Sequence, residues 1–161
     1  MGLKILHSAD WHLDSAFSAF PENQRLRLRQ EQRKLPGRIL EIAHANHVDI
    51  VLLSGDLLDG QGSPESVELL RRTLGEFGVP VLISPGNHDF CAPGSPWTQE
   101  TWPENVHIFT RGLESVVLPE LNCRVYGAGY QGMDCQPLLQ DFSARGEEKY
   151  CIGLLHADPV V

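Results

Sequence analysis

The chain has 161 residues and a formal net charge of −8, with 42% hydrophobic and 21% charged residues, as is ordinary for a globular domain. The longest apolar runs are far too short to span a bilayer and the sequence opens with no secretory leader, so we expect a cytoplasmic protein with no membrane partner. The acidic charge argues mildly against nucleic acid, although six of the thirteen basic residues cluster between positions 25 and 38.

The first half of the chain alternates apolar stretches with helical ones. A strand over residues 3–7 is followed by a helical pattern over 23–46, which Pro36-Gly37 should kink or split. A continuous apolar strand over 48–54 then runs into Gly55-Asp56. This alternation predicts an α/β fold whose first half is a parallel sheet with right-handed crossovers.

The next helix has a clear start and end. Ser63-Pro64-Glu65 supplies a capping hydroxyl, a first-turn proline and an acid at the positive end of the helix dipole. Gly78 should end this helix, and a strand over 79–84 follows it. Residues 92–104, which contain three prolines and a glycine, are predicted to form a loop.

The second half of the chain contains mostly short strands. We expect them near residues 106–109, 115–118 and 124–126, with a weak helix around 135–142. A last strand over 150–155 leads into His156. The whole pattern predicts a mixed α/β sandwich.

Side chains that bind metals follow four of the predicted strands. They are Asp10 and His12, Asp56, Asn87 with His88, and His156. In parallel sheets the ligand crevice lies beyond the carboxyl ends of the strands, so these groups should converge there. Asp10 and His12, two residues apart, should point the same way from an extended strand end.

Carboxylate, imidazole and amide ligands together suit manganese, iron(II) or zinc. Without cations the clustered aspartates would repel one another, and a pair of divalent ions would remove that conflict. Asp56 is the candidate for a carboxylate that bridges the ions because it follows a central strand. For Asp10 or Asp56 alone an ordinary turn former would be the favoured interpretation, and it is the set with His12, Asn87 and His156 that favours a metal site.

His88 is predicted to act as an acid that protonates the leaving oxygen, because an imidazole titrates near neutral pH. Asp59 could orient that imidazole, or simply cap a turn. Asp89 is expected only to brace its loop. Arg25, Arg29 and Arg33 share a helix face, and we favour a solvated face over a phosphate-contacting one.

The ordered motifs resemble the calcineurin-like metallophosphoesterases. They are Asp10-x-His12, Gly55-Asp56-x-x-Asp59 and Gly86-Asn87-His88-Asp89, with His156 after a later strand. Within that superfamily, three stretches are similar to the bacterial SbcD-like DNA repair exonucleases: residues 6–14 (LHSADWHLD), 103–107 (PENVH) and 152–156 (IGLLH).

This resemblance implies a four-layer αββα sandwich, two manganese ions, phosphodiester hydrolysis of DNA and a coiled-coil ATPase partner of the SbcC kind. By matching position, one ion would be bound by Asp10, His12 and Asp56. The other would be bound by Asp56, Asn87 and His156, with His88 as the catalytic acid.

The sequence departs from the family pattern in one respect. The family continues with Gly-His-x-His, which adds a ligand to each ion, and no such motif occurs here. We therefore expect residues 1–161 to be the N-terminal portion of a nuclease domain without its cap, with impaired activity and an exposed sheet edge that favours a homodimer. The alternatives are another two-metal phosphoesterase (a phosphomonoesterase or a cyclic-nucleotide phosphodiesterase) and a non-catalytic interaction module.

Overall fold

The computed structural model describes residues 2–133, 139 and 142–157. In chain order the strands and helices are β1 (Ile5–Ser8), α1 (Glu22–Gln32), α2 (Leu35–Asn46), β2 (Ile50–Leu53), α3 (Pro64–Glu76), β3 (Val81–Ile83), α4 (Pro96–Gln99), β4 (Val106–Ile108), β5 (Glu114–Leu118), a 3-10 turn (Pro119–Leu121), β6 (Cys123–Ala128) and β7 (Tyr150–Leu155). None of the helices within those ranges combines the length and apolar character needed to cross a bilayer.

The first sheet contains four strands in the order β1-β2-β3-β4, and all of its pairings are parallel. The parallel arrangement predicted for the first half of the chain is therefore confirmed. Strand β2 lies inside this sheet, and all four of its residues are buried. Buried parallel strands are typically continuous apolar runs, as Ile50–Leu53 is.

The second sheet has the order β5-β6-β7 and mixed polarity. Strand β5 is antiparallel to β6, whereas β7 is parallel to β6. The α/β class with a mixed sheet is thus confirmed by the pairing.

Two hydrophobic clusters hold these layers together. On one face of the first sheet, Val51 and Leu53 pack with the helices, for example with Leu70 and Leu74 of α3. On the other face Ile50 and Leu52 pack against the second sheet. The successive residues of β2 therefore serve different cores, as the alternation of side chains along a strand requires.

Described residues thus form a helical layer and two facing sheets. After β4 they contain strands and a 3-10 turn but no α-helix, so the second helical layer that the resemblance implies is not among them. The helix expected near residues 135–142 also lies largely outside the described residues.

The remaining differences from the sequence prediction are local. The long helical pattern is split, as expected, but the break falls at Arg33 and Lys34, because Pro36 occupies the first turn of α2. The stretch predicted as a loop over 92–104 contains the short helix α4, which also starts with a proline.

Helix α3 begins as its sequence predicts. Ser63 is the N-cap, and its hydroxyl accepts a hydrogen bond from the backbone N–H of Ser66 at 3.2 Å. We expect Ser63→Ala to lower the free energy of unfolding by about 1 kcal/mol, as is typical of lost caps. Urea denaturation measures this, with the exposed Ser18→Ala as control. Equal stability of the two variants would show that the cap contributes nothing.

Candidate metal centre

The carboxyl ends of three neighbouring strands are aligned by the register of the first sheet. Ser8 pairs with Leu53, and Leu53 pairs with Ile83. The chain segments that follow these three residues therefore leave the sheet at the same edge. They carry Asp10 and His12, Asp56, and Asn87 with His88.

The segment after β1 is not extended, and in this respect the sequence-based expectation was wrong. Asp10, His12 and Asp14 have φ angles of 57°, 46° and 72°, all in the left-handed region. Backbone N–H groups of Asp10 and His12 donate to the carbonyls of Gly55 and Asp56 at 3.1 and 2.9 Å. These tertiary hydrogen bonds stabilise a conformation that the residues themselves disfavour.

Asp56 lies in a tight junction between two loops. A Cβ atom on Gly86 would lie 2.2 Å from Oδ1 of Asp56, and one on Gly55 would lie 2.5 Å from the backbone nitrogen of Gly86. Both positions therefore need glycine. Oδ1 of Asp56 accepts a hydrogen bond from the backbone N–H of His88 at 2.9 Å, which orients the carboxylate.

The other oxygen of Asp56 faces two histidines. Oδ2 is 3.7 Å from Nε2 of His12 and 3.5 Å from Nε2 of His156. Ligand atoms that bind one ion, each at about 2.0–2.2 Å, lie within roughly 4.4 Å of each other. Each of the two distances is therefore short enough for Oδ2 and that histidine to bind the same ion. Oδ2 can thus contact one ion beside His12 and another beside His156.

The ring of His156 has its acceptor nitrogen turned toward other acceptors. Its Nδ1 is 2.8 Å from the carbonyl oxygen of Ser54, which can only accept, so Nδ1 carries the hydrogen. In the neutral ring Nε2 is then a lone pair, and it lies 3.0 Å from Oδ1 of Asn87. The ring nitrogen and the amide oxygen each offer a lone pair beside the Asp56 carboxylate. Together the three groups are suitable ligands for a divalent cation.

Asp10 is within reach of both histidines. Its Oδ1 lies 3.8 Å from Nε2 of His12. It also groups with Asp56 and His156, since one ligand atom of each lies within 4.8 Å of the others. Another group of the same kind combines His12, Asp56 and His88. The five predicted ligands therefore converge, with Asp56 in both groups.

His88 and Asp59 form the predicted dyad. Nδ1 of His88 is 3.0 Å from Oδ1 of Asp59, and the His88 ring lies edge-on to that of His12 with centroids 4.9 Å apart. The hydrogen bond that the His88 ring donates to Asp59 raises the pKa of His88, and the nearby carboxylates of Asp56 and Asp89 raise it further. The dyad thus lies beside the ligands and favours the protonated ring.

Asp89 braces its loop, as the sequence predicts. It also bonds the backbone of a second loop, which its position in the motif does not reveal. Its carboxylate is 2% exposed and accepts hydrogen bonds from four backbone N–H groups. The donors are Asp56 at 3.1 Å, Leu57 at 2.8 Å, Leu58 at 3.3 Å and Gly86 at 2.7 Å. Burial raises the pKa of Asp89, against the effect of these bonds. One side chain therefore joins the Asp56 loop to the Asn87 loop.

Two arginines of the basic helix face contact the segment that follows β1. Arg29 donates to the carbonyls of Ser15 and Ala16, and Arg33 pairs with Asp14 at 3.3 Å. Both side chains are exposed, as expected for a solvated face, and both also contact the segment that follows His12. Both hold the segment that follows His12, a role that helical spacing cannot reveal.

Comparison with known proteins agrees with this geometry. The family model described as calcineurin-like phosphoesterase matches residues 3–160. An uncharacterized metallophosphoesterase of Bacillus subtilis, YhaO, is 33% identical over 96% of this chain and 40% of its own length. The SbcD subunit of the nuclease SbcCD from Staphylococcus saprophyticus is 27% identical over 62% of this chain and 27% of its own length.

The chain therefore spans well under half the length of these relatives, and the activity of a whole relative is not transferred to it directly. The family match, in contrast, covers nearly every residue. It includes the aligned strand ends and all five of the converging side chains that are predicted as ligands. The chain belongs to the calcineurin-like phosphoesterase family.

Proposed function

We propose that this protein hydrolyses phosphodiester bonds of DNA with two divalent ions, which we take to be manganese, held by Asp10, His12, Asp56, Asn87 and His156. The observation that carries the proposal is Oδ2 of Asp56, which lies 3.7 and 3.5 Å from the Nε2 atoms of two different histidines. When bound, the ions supply an activated water and positive charge for the phosphate oxygens.

The protein's own residues have separate tasks in this scheme. The ligand side chains fix where the scissile phosphate lies, because they converge on one edge of the first sheet. His88 protonates the leaving oxygen, and its side chain is exposed enough (44%) to meet a substrate. Asp59 orients the His88 ring through Nδ1, which leaves Nε2 for the substrate.

DNA is supported as the substrate class by similarity to a nuclease component and by the motif over residues 6–14. The partners proposed with it are DNA itself, an SbcC-like ATPase and a second copy of the chain. For the last, the edge strand β1 exposes Ile5, whose surface is 44% accessible.

A substrate panel with Mn²⁺ tests the proposal. It contains linear double-stranded DNA, single-stranded DNA, closed circular DNA, a phosphomonoester and a cyclic nucleotide. We expect mononucleotides to be released from linear DNA and the closed circle to stay intact. Cleavage of only the phosphomonoester or the cyclic nucleotide would contradict the DNA assignment. No turnover together with no bound metal would favour the interaction module.

The acid role of His88 has its own test. We expect His88→Ala to lower kcat on DNA by about 100-fold, the lower end of the usual effect of a general acid, while Mn²⁺ affinity changes little. His44→Ala is the matched control, because His44 is exposed and its ring hydrogen-bonds a helix carbonyl, that of Glu76. Unchanged kcat in His88→Ala would remove His88 from the mechanism.

A further inference from the structure

Helix α1 lies beside the segment that carries His12 but contributes no residue to the hydrophobic core. None of its eleven residues is buried. Helices usually gain most of their stability in proteins by burying an apolar face, and α1 has no such face. Its position must therefore depend on polar contacts.

Those polar contacts are concentrated on the segment that follows β1. Gln32 donates through Nε2 to the carbonyl of Trp11 at 3.0 Å and also to that of His12. Arg29 donates to the carbonyls of Ser15 and Ala16 at 3.2 and 3.3 Å. Residues 29 and 32 lie three apart and share one helix face. One face of α1 therefore binds the carbonyl groups of the ligand segment.

The contacted segment needs external support. Asp10, His12, Asp14 and Phe17 all have left-handed backbone conformations, which each cost a non-glycine residue on the order of 1 kcal/mol or more. Such conformations persist only where the surrounding structure holds them. At His12 the carbonyl accepts from Gln32 and from the backbone N–H of Ser15 at 3.0 Å, and the backbone N–H donates to the carbonyl of Asp56.

The carboxamide of Gln32 is itself held at a cost. Its Oε1 is buried and has no hydrogen-bond partner among the described residues, while its Nε2 spans two consecutive carbonyls. An unsatisfied buried acceptor is unfavourable by about 1–3 kcal/mol. Gln32 thus keeps its two bonds to the carbonyls of Trp11 and His12 although its own oxygen has no partner among the described residues.

We infer that Gln32 is a positioning residue for His12: by donating to the carbonyls of Trp11 and His12, it holds Nε2 of His12 where it can share an ion with Asp56. This inference rests on the proposed function, since it takes His12 as a ligand. It adds a residue from outside the metal-binding motifs. Gln32 touches no ligand atom and acts only through the backbone of the segment.

The experiment compares Gln32→Met with Gln30→Met. Methionine has a similar length and helix propensity but cannot donate a hydrogen bond, and Gln30 is exposed on the same helix. Mn²⁺ titration, followed by the EPR signal of the free ion, should show one of the two ions binding 10–100-fold more weakly in Gln32→Met, as for other residues that orient a ligand. Gln30→Met should match the parent protein.

A merely structural role would predict a different result. It would lower the melting temperature and weaken both ions alike, and that outcome, or unchanged affinity for both ions, would overturn the inference. Gln32→Glu provides a second variant should Gln32→Met fail to fold, because it keeps the length but presents a carboxylate to the two carbonyls. Gln32→Glu should weaken the binding of the same ion.

The NMR signals of the His12 ring separate this inference from the proposed function. Were the parent protein to bind no Mn²⁺, the proposed function would fail, and the ring signals would still report on Gln32. A shift of these signals in Gln32→Met but not in Gln30→Met supports the positioning role. Identical His12 signals in both variants would overturn it.

Discussion

Asp56→Asn should abolish binding of both divalent ions and lower DNA hydrolysis by more than any single acid–base group, which is worth roughly 10²–10⁴-fold. Oδ1 of Asp56 accepts from the backbone N–H of His88, and asparagine can keep that bond. Its NH₂ group then replaces Oδ2 between His12 and His156. A donor in that place cannot bind a cation, so both ions lose a shared ligand.

Isothermal titration with Mn²⁺ and a DNA hydrolysis assay measure these effects. Asp49→Asn is the matched control, because Asp49 precedes the same strand β2 at its opposite end and its side chain accepts from the backbone N–H of Lys4. It should behave like the parent protein. Retention of one ion at full affinity in Asp56→Asn would show that the carboxylate serves a single ion and does not bridge.

Asp89→Ala should have the largest effect on stability of any single substitution at the site. It leaves four backbone N–H groups without their acceptor in a buried junction. At about 1 kcal/mol or more for each unsatisfied donor, the loss exceeds roughly 4 kcal/mol. Domains are typically stable by only about 5–15 kcal/mol, so the variant should be largely unfolded or close to it.

The measurement is urea denaturation in the presence of EDTA, so that ion binding does not contribute to stability. Asp89→Asn keeps one acceptor oxygen and should lose about half as much. Asp59→Ala is the control, because Asp59 is partly exposed and, among the described residues, its side chain bonds only His88. It should cost less than about 1 kcal/mol. A loss in Asp89→Ala no greater than that in Asp59→Ala would contradict the bracing role.

The order of strands and helices could be predicted because it follows from local signals. The buried run Ile50–Leu53 reads as a strand, and the Ser63 cap with Pro64 reads as a helix start. Convergence of the ligands could also be predicted, since parallel strands bring their carboxyl ends to one edge. These predictions depend on the spacing of apolar and polar residues along the chain, which the amino-acid sequence shows directly.

The backbone of the ligand segment could not be predicted in the same way. Left-handed conformations at Asp10, His12 and Asp14 contradict local preference, and they depend on hydrogen bonds to residues far along the chain. The contacts of Gln32 with residues twenty and twenty-one positions away are equally long-range. No motif marks that glutamine, because its side chain acts on backbone carbonyls whose positions exist only in the folded protein.

Asp89 illustrates an intermediate case. Its place directly after Asn87-His88 suggested a role in the loop, which the structure shows. The number of donors that it satisfies depends on the approach of the Asp56 loop. That approach requires glycine at two positions, and a sequence alone displays the glycines without displaying what they touch.

Crystals grown with Mn²⁺ and measured at its absorption edge would examine the pair of ions itself. Two anomalous peaks about 3.5–4 Å apart are expected, with Oδ2 of Asp56 between them, His12 beside one peak, and His156 with Asn87 beside the other. A single peak, or peaks away from Asp56, would contradict the bridged pair.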